Sequence, residues 1–151
     1  ELGVVVRAIA QQASSEAVRD GWLHTNDIAR MDASGLITIV DRKKDMVVSG
    51  GFNIYPREVE DALFAHPAVR QAAVIGVPHD KWGEEVKALV LLHEGRQATE
   101  QELIDFVKAR KGSLMAPKSI DFVSAIPLTN LGKPDKKAMR QRYWGTRNRN
   151  V

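Results

Sequence analysis

The chain has 151 residues, 44% of them apolar and 27% charged, with no cysteine. That is one globular domain's worth of sequence, and it excludes a disulfide framework, a thiolate nucleophile and a Cys-ligated zinc site. The net charge of +3 divides unevenly: 11 Lys and Arg against 15 Asp and Glu over residues 1–100, and 11 against 4 over residues 101–151.

No run approaches the roughly 18 uninterrupted apolar residues of a transmembrane segment. The opening Glu-Leu-Gly-Val-Val-Val-Arg lacks an initiating Met and the basic-then-apolar order of a signal peptide. The chain is therefore expected to be a cytoplasmic piece of a longer protein. Leu2 to Ile9 is apolar enough for a strand, and Ser14 to Arg19 reads as a polar or helical connection. Ile28 to Met31 and Leu36 to Val40 favour strands, and Asp32-Ala33-Ser34-Gly35 between them supplies turn chemistry, so a β-hairpin is expected. Five consecutive charges, Asp41 to Asp45, separate it from a short strand, Met46 to Val48, and mark a hinge or domain boundary.

Ser49-Gly50-Gly51 forms a turn, and Pro56 opens a helix. Glu58, Glu60 and Asp61 lie near its positive end, Val59, Ala62 and Leu63 form its buried stripe, and Pro67 ends it. Val69 to Val77 and Val86 to His93 read as strands, the second so continuously apolar that it belongs at the centre of a sheet, with a polar loop from Pro78 to Glu84 between them. Thr99 and Glu102 make a capping box for a helix with Leu103, Phe106 and Val107 on its apolar face, stopping at Gly112. A strand over Ile120 to Ile126 and a third helix from Pro134 to about Tyr143 complete the order. The class is α+β: a small domain with a mixed or antiparallel sheet packed by about three helices, preceded by a β-hairpin.

Several residues offer chemistry, each beside a plainer reading. Asp27, at the entry to the hairpin, can accept hydrogen bonds from two vicinal sugar hydroxyls, and is equally a common turn residue. Arg42 offers a ribose or phosphate contact, or belongs to a solvated charge run. Gly50 and Gly51 permit a tight turn or close approach of a ligand, but no phosphate-loop or dinucleotide motif accompanies them. Lys133 stands on a loop just before a helix start, where it opposes the helix dipole unless it has another use. His24, His66, His79 and His93 show no metal-ligand spacing, so no metal ligands are assigned. Tyr143-Trp144 lies among Lys136, Lys137, Arg140, Arg142, Arg147 and Arg149, which suits a nucleic-acid or phospholipid surface or a solvated tail.

Three segments in order, Gly21-Trp22-Leu23-His24-Thr25-Asn26-Asp27, the stretch from Asp41 through Gly50-Gly51-Phe52-Asn53-Ile54-Tyr55-Pro56 to Glu60, and Pro127-Leu128-Thr129-Asn130-Leu131-Gly132-Lys133, resemble the C-terminal part of the adenylate-forming enzymes. That superfamily includes acyl-CoA synthetases, firefly luciferase and the adenylation domains of peptide synthetases; Gly50 to Pro56 and Val77 to Glu84 most resemble the fatty- or medium-chain acyl-CoA synthetases. The resemblance implies a two-step reaction: a carboxylic acid attacks the α-phosphate of ATP, with Mg2+, to give an acyl-adenylate and release pyrophosphate, and the thiol of coenzyme A then displaces AMP. It implies that Lys133 is the adenylation lysine, open to regulation by acetylation, that Asp27 holds the ribose of ATP, and that Arg42 contacts the same sugar or the phosphate side. Lys44 matches the hinge, where many relatives have Asp, and Gly50 and Gly51 line the pantetheine path after the domain swings.

The division it implies is residues 1–41 as the edge of a large N-terminal domain, 42–44 as hinge and 45–151 as the mobile C-terminal domain. That large domain would be the partner, small-molecule substrates the ligands, no nucleic acid would be bound, and the piece alone would be inactive. Two departures stand out: Asn26 occupies a position where relatives usually carry Gly, and the stretch between Arg7 and Trp22 is shorter than in relatives. The alternatives are the same domain from an acyl-AMP ligase or carrier-protein-loading enzyme, and a basic nucleic-acid or phospholipid binding module using the +7 end.

Overall fold

The computed structural model describes residues 17–145. The strand expected over Leu2 to Ile9, residues 14–16 of the 14–19 connection, and Arg147 and Arg149 lie outside the described residues. Within them the chain opens on a small antiparallel pair, β1 (Val18–Arg19) and β2 (Trp22–Leu23), where a connection rather than strand had been expected. Asp20 and Gly21 between them both take positive φ, the requirement of a two-residue hairpin turn. The expected hairpin follows as β3 (Asp27–Met31) and β4 (Ile37–Arg42). Its turn is fixed by Asp32, whose Oδ1 accepts from the Ser34 and Leu36 amides.

A single 3-10 turn over Lys43–Asp45 leads into the main sheet. β5 (Val47–Ser49) pairs with β6 (Phe52–Ile54) through the Gly50-Gly51 turn, so a short strand stands where the sequence reading placed none. Helix α1 (Pro56–Phe64), β7 (Val69–His79), β8 (Gly83–Leu92), helix α2 (Glu100–Lys111), β9 (Ser119–Phe122) and helix α3 (Lys136–Trp144) follow. β8 is central, as its apolar run requires. One of its edges is taken by β7; the other is shared between β5, at Gly83, and β9, which runs parallel from Lys87 to Val90. The capping box of α2 is present in both directions, and Gly112 ends the helix at φ +84°.

The apolar run of β7 is explained by cover on both faces. Ala72 and Val74 point with Val86, Ala88 and Val90 into a core closed by Val59 and Leu63 of α1 and Leu103 and Val107 of α2. Ala73, Ile75 and Val77 point the other way, with Leu89 and Ile126, against Met139 of α3. The result is a three-layer sandwich with α1 and α2 on one face and α3 on the other. No helix among the described residues is long and apolar enough to cross a membrane.

Strands β7, β8 and β9 differ in length from expectation. The Pro78 to Glu84 loop shrinks to a turn over residues 80–82, because β7 and β8 pair to Pro78↔Glu84 and His79↔Gly83. The Val74 amide and the Gly76 carbonyl point outward, to Glu60 and Trp144. By alternation the missing N–H of Pro78 falls on that same outer edge and costs no ladder bond. β9 stops at Phe122 rather than Ile126: Val123 still donates to Val90 O at 2.9 Å, and β8 itself ends two residues later.

Candidate functional site

The β3–β4 hairpin, the turn after it and the loop before α3 enclose a cleft of about 940 Å³. Asp27, Arg42, Lys44 and Lys133 all line it, so the structure brings together four of the six site residues expected from sequence. Asp27 and Arg42 are register partners across the hairpin, and Arg42 Nε lies 3.4 Å from Asp27 Oδ1. Asn26 takes φ +58°, the left-handed conformation a glycine supplies freely and Asn tolerates better than most, and its carbonyl accepts from the Lys43 amide at 2.8 Å. Asn26 thus takes up the left-handed backbone that a glycine would supply, directly before Asp27.

Lys133 is exposed on a tight loop. Thr129 N donates to Lys133 O at 2.7 Å, and Lys133 N donates back to Thr129 Oγ1 at 3.3 Å. Asp135 N closes the base on Pro127 O at 2.8 Å, and the Asp135 carboxylate caps α3 at Ala138 N. No ion pair among the described residues engages the Lys133 ammonium, whereas two of the four cations that follow it in α3 are engaged. Lys136 lies 2.7 Å from Glu60 and Arg140 3.0 Å from Asp45, both pairs largely buried. The Tyr143 hydroxyl donates to Asp121, and Trp144 Nε1 donates to Gly76 O at 3.0 Å. The aromatic pair weighed as a nucleic-acid platform is therefore turned onto the sheet, and Lys136 and Arg140 of α3 are spent on internal partners, while Lys137 and Arg142 stay exposed.

Glu60 is the buried centre of this anchorage. It also accepts from Val74 N at 2.8 Å, so one carboxylate joins α1, the outer edge of β7 and α3. Burial pushes its carboxyl above the usual range, with Lys136 opposing. Burial likewise pushes at Asp121, but hydrogen bonds from Lys87 and Tyr143 outweigh it and hold that carboxyl below its usual value. Tyr143 is pushed up to about 12 by burial and by its bond to Asp121. Sequence reading had placed Glu60 only by its closeness to the helix dipole. Its spacing one residue after Val59 and three before Leu63 puts it on the buried side, which is the signal that was available.

Gly50 belongs elsewhere. It lines a second depression of about 450 Å³ with Ser49, Phe52, His79, Trp82, Glu85, Leu114 and Lys118, which shares no lining residue with the cleft. Gly50 takes φ +57°, and a β-carbon there would sit 2.8 Å from Trp82 Cε3. Gly51, at φ +85°, does not line the depression, and a β-carbon on it would meet nothing within 4 Å. Among the described residues no cluster of His, Asp and Glu could hold a metal.

A small sheet carrying three helices defines the class: this is the fold of the C-terminal domain of adenylate-forming enzymes. A family model matches residues 58–133, and the chain belongs to that family, the AMP-binding enzyme C-terminal domain. It is 52% identical over 138 residues to a medium/long-chain-fatty-acid–CoA ligase of Mycobacterium tuberculosis, covering 87% of this chain and 24% of that protein. It is 43% identical over 132 residues to a feruloyl-CoA synthase of an Amycolatopsis species, covering 87% of this chain and 27% of that one. Among solved structures, ATP-bound MatB from Rhodopseudomonas palustris superposes with a TM-score of 0.81 at 34% identity, covering 91% of this chain and 27% of that one. The chain spans about a quarter of the length of the curated relatives it matches.

Proposed function

We propose that this chain is the mobile C-terminal domain, with residues up to 41 as the edge of a large N-terminal domain, of an AMP-forming acid–thiol ligase. That ligase would couple a carboxylic acid to coenzyme A through an acyl-adenylate. The observation that carries the reading is the shared cleft, which sets Lys133, without an ion pair among the described residues, opposite an Asp–Arg pair. In this reading Asp27 accepts hydrogen bonds from the ribose of ATP, while Arg42 steadies Asp27 and offers its guanidinium to the same sugar or the phosphates. Lys133 supplies positive charge where negative charge grows during attack on the α-phosphate, so it stabilises the transition state more than the ground state. Mg2+ enters with ATP as part of the substrate.

The second step needs a different face. Lys44, in the 3-10 turn at the foot of the cleft, is the hinge about which residues 45 onward rotate. The rotation withdraws Lys133 and delivers the depression beside Gly50, where a narrow thiol-bearing arm passes Trp82. The acid is proposed to be fatty, on the likeness to the mycobacterial ligase; the likeness to a feruloyl-CoA synthase keeps aryl acids as the second reading.

The test uses the full-length protein carrying Lys133→Ala, with two assays: pyrophosphate release from ATP plus acid, and acyl-CoA formation from synthetic acyl-AMP. Pyrophosphate release should fall about 100- to 1000-fold, the usual loss for one such contact, while acyl-CoA formation from acyl-AMP is retained. Near-normal pyrophosphate release would remove Lys133 from the chemistry.

A further inference from the structure

Helix α1 begins without a cap of its own. Its N-cap residue is Tyr55, whose side chain makes no capping hydrogen bond, and Pro56 at the first helical position has no N–H to offer. The next amide, Arg57 N, donates instead to Asp41 Oδ2 at 2.9 Å, while Asp41 Oδ1 accepts from Arg42 N at 2.7 Å. Asp41 lies sixteen residues upstream, at the end of the hairpin, so the carboxylate that completes α1 is held by a different part of the chain. A second, looser contact runs the same way, from Arg30 on β3 to Glu58 in the first turn of α1 at 3.9 Å.

From this we infer that Asp41 is a positioning residue for the first half-reaction: it caps α1 across the hinge and so favours the disposition in which Lys133, Asp27 and Arg42 share one cleft. The inference rests on the hinge proposed above. Asp41 falls on the near side of Lys44 and α1 on the far side, so rotation about the hinge breaks the cap and leaves the α1 N-terminus to water. A carboxylate at a helix N-terminus meets unsatisfied donors and the positive end of the dipole together, which makes the contact one-sided: present in the closed arrangement and absent in the rotated one. A group with such a differential contact shifts the balance between two arrangements, and a group with the same contacts in both shifts nothing.

The experiment is done on the full-length protein with Asp41→Ala and Asp41→Asn. Asp41→Ala should lower the rate of pyrophosphate release by about five- to thirtyfold, the population change that the loss of a helix cap produces. Acyl-CoA formation from synthetic acyl-AMP should be unchanged or faster. Asp41→Asn keeps an oxygen for the Arg57 amide, and Asn caps about as well as Asp, so it should restore most of the rate. Spin labels at Ala33→Cys and Ala65→Cys, both exposed, on a background freed of other cysteines, report the arrangement directly. Two distances are expected with ATP present, and Asp41→Ala should reduce the population at the distance that belongs to the arrangement described above by the same factor as the rate. One unchanging distance with and without ligands overturns the hinge itself. Two distances whose ratio ignores Asp41→Ala, or an Asp41→Asn variant as impaired as Asp41→Ala, overturns the role of Asp41 and leaves the hinge standing.

Discussion

Gly50 and Gly51 are adjacent, both take positive φ, and yet substitution should separate them. A β-carbon in the left-handed region costs about 1–2 kcal/mol, and Gly50→Ala and Gly51→Ala share that cost. At Gly51 the cost ends there, since nothing lies within 4 Å. At Gly50 the new carbon meets Trp82 Cε3 at 2.8 Å and Cζ3 at 3.3 Å, both inside the 3.4 Å at which ordinary contact begins. The indole is 46% exposed, so it yields by moving outward rather than by opening the core. The backbone beside it holds, because Gly50 N donates to Trp82 O at 2.9 Å. Denaturant unfolding should therefore give the two variants similar losses, within about 1 kcal/mol of each other. In the full-length protein, on the function proposed above, acyl-CoA formation from acyl-AMP should slow about 10- to 100-fold in Gly50→Ala, the order expected when a positioning surface shifts by about an ångström. Gly51→Ala should stay near wild type in that step, and pyrophosphate release should be preserved in both. Equal slowing of the thiol step by the two variants would refute the reasoning, because the glycines would then act through backbone shape alone and not through Trp82.

Two further outcomes follow from the anchorage of α3 and of Glu60. Met139→Ala removes the one fully buried side chain of α3 from its contact with Ile75, Val77 and Leu89, and should cost about 2–5 kcal/mol in equilibrium unfolding; a loss below 1 kcal/mol would mean that the hydrogen bonds of Tyr143 and Trp144 hold the helix by themselves. Because burial raises the Glu60 carboxyl, the folded protein binds that proton more tightly than the unfolded chain, so its contribution to stability is full below the ordinary value of 4.5 and is lost as pH rises through the raised one. The stability of wild type relative to Glu60→Gln, followed by urea unfolding across that window, should fall with increasing pH, and a rise would show that the Lys136 pair outweighs burial.

The elements legible in the sequence were those whose signals are local. The hairpin turn at Asp32, Pro56 at the head of α1, the capping box at Thr99 and the apolar run of β8 each state their structure within a few residues, and the structure contains all of them. β6 escaped because Phe52-Asn53-Ile54 is three residues long and half polar; it is a strand only because β5 lies beside it. Pro78 reads as the start of a loop because the sequence does not say which edge of β7 lacks a neighbouring strand. The cleft was legible through resemblance, as separate residues at the ends of different elements. What was not legible was how Lys133 is carried. The pairs Glu60–Lys136 and Asp45–Arg140 and the bond from Trp144 to Gly76 span 76, 95 and 68 residues, and nothing in the local pattern of Tyr143-Trp144 distinguishes a side chain lying on a sheet from one in solvent.

The parallel strand β9 has a bearing on how this domain comes to exist at all. β8 presents its second edge to β5 at one end and to four residues of β9 further along, and β9 reaches its place only after the whole of α2 has crossed over the sheet. During synthesis the β7–β8 hairpin can zip as soon as it leaves the ribosome, being joined by three residues. From then until Ser119 to Phe122 emerges, the stretch from Lys87 to Val90 offers unpaired amides and carbonyls along a strongly apolar strand, the combination that recruits a neighbouring chain. The final third of the sequence thus protects the nascent middle third from its own copies before it takes any part in chemistry.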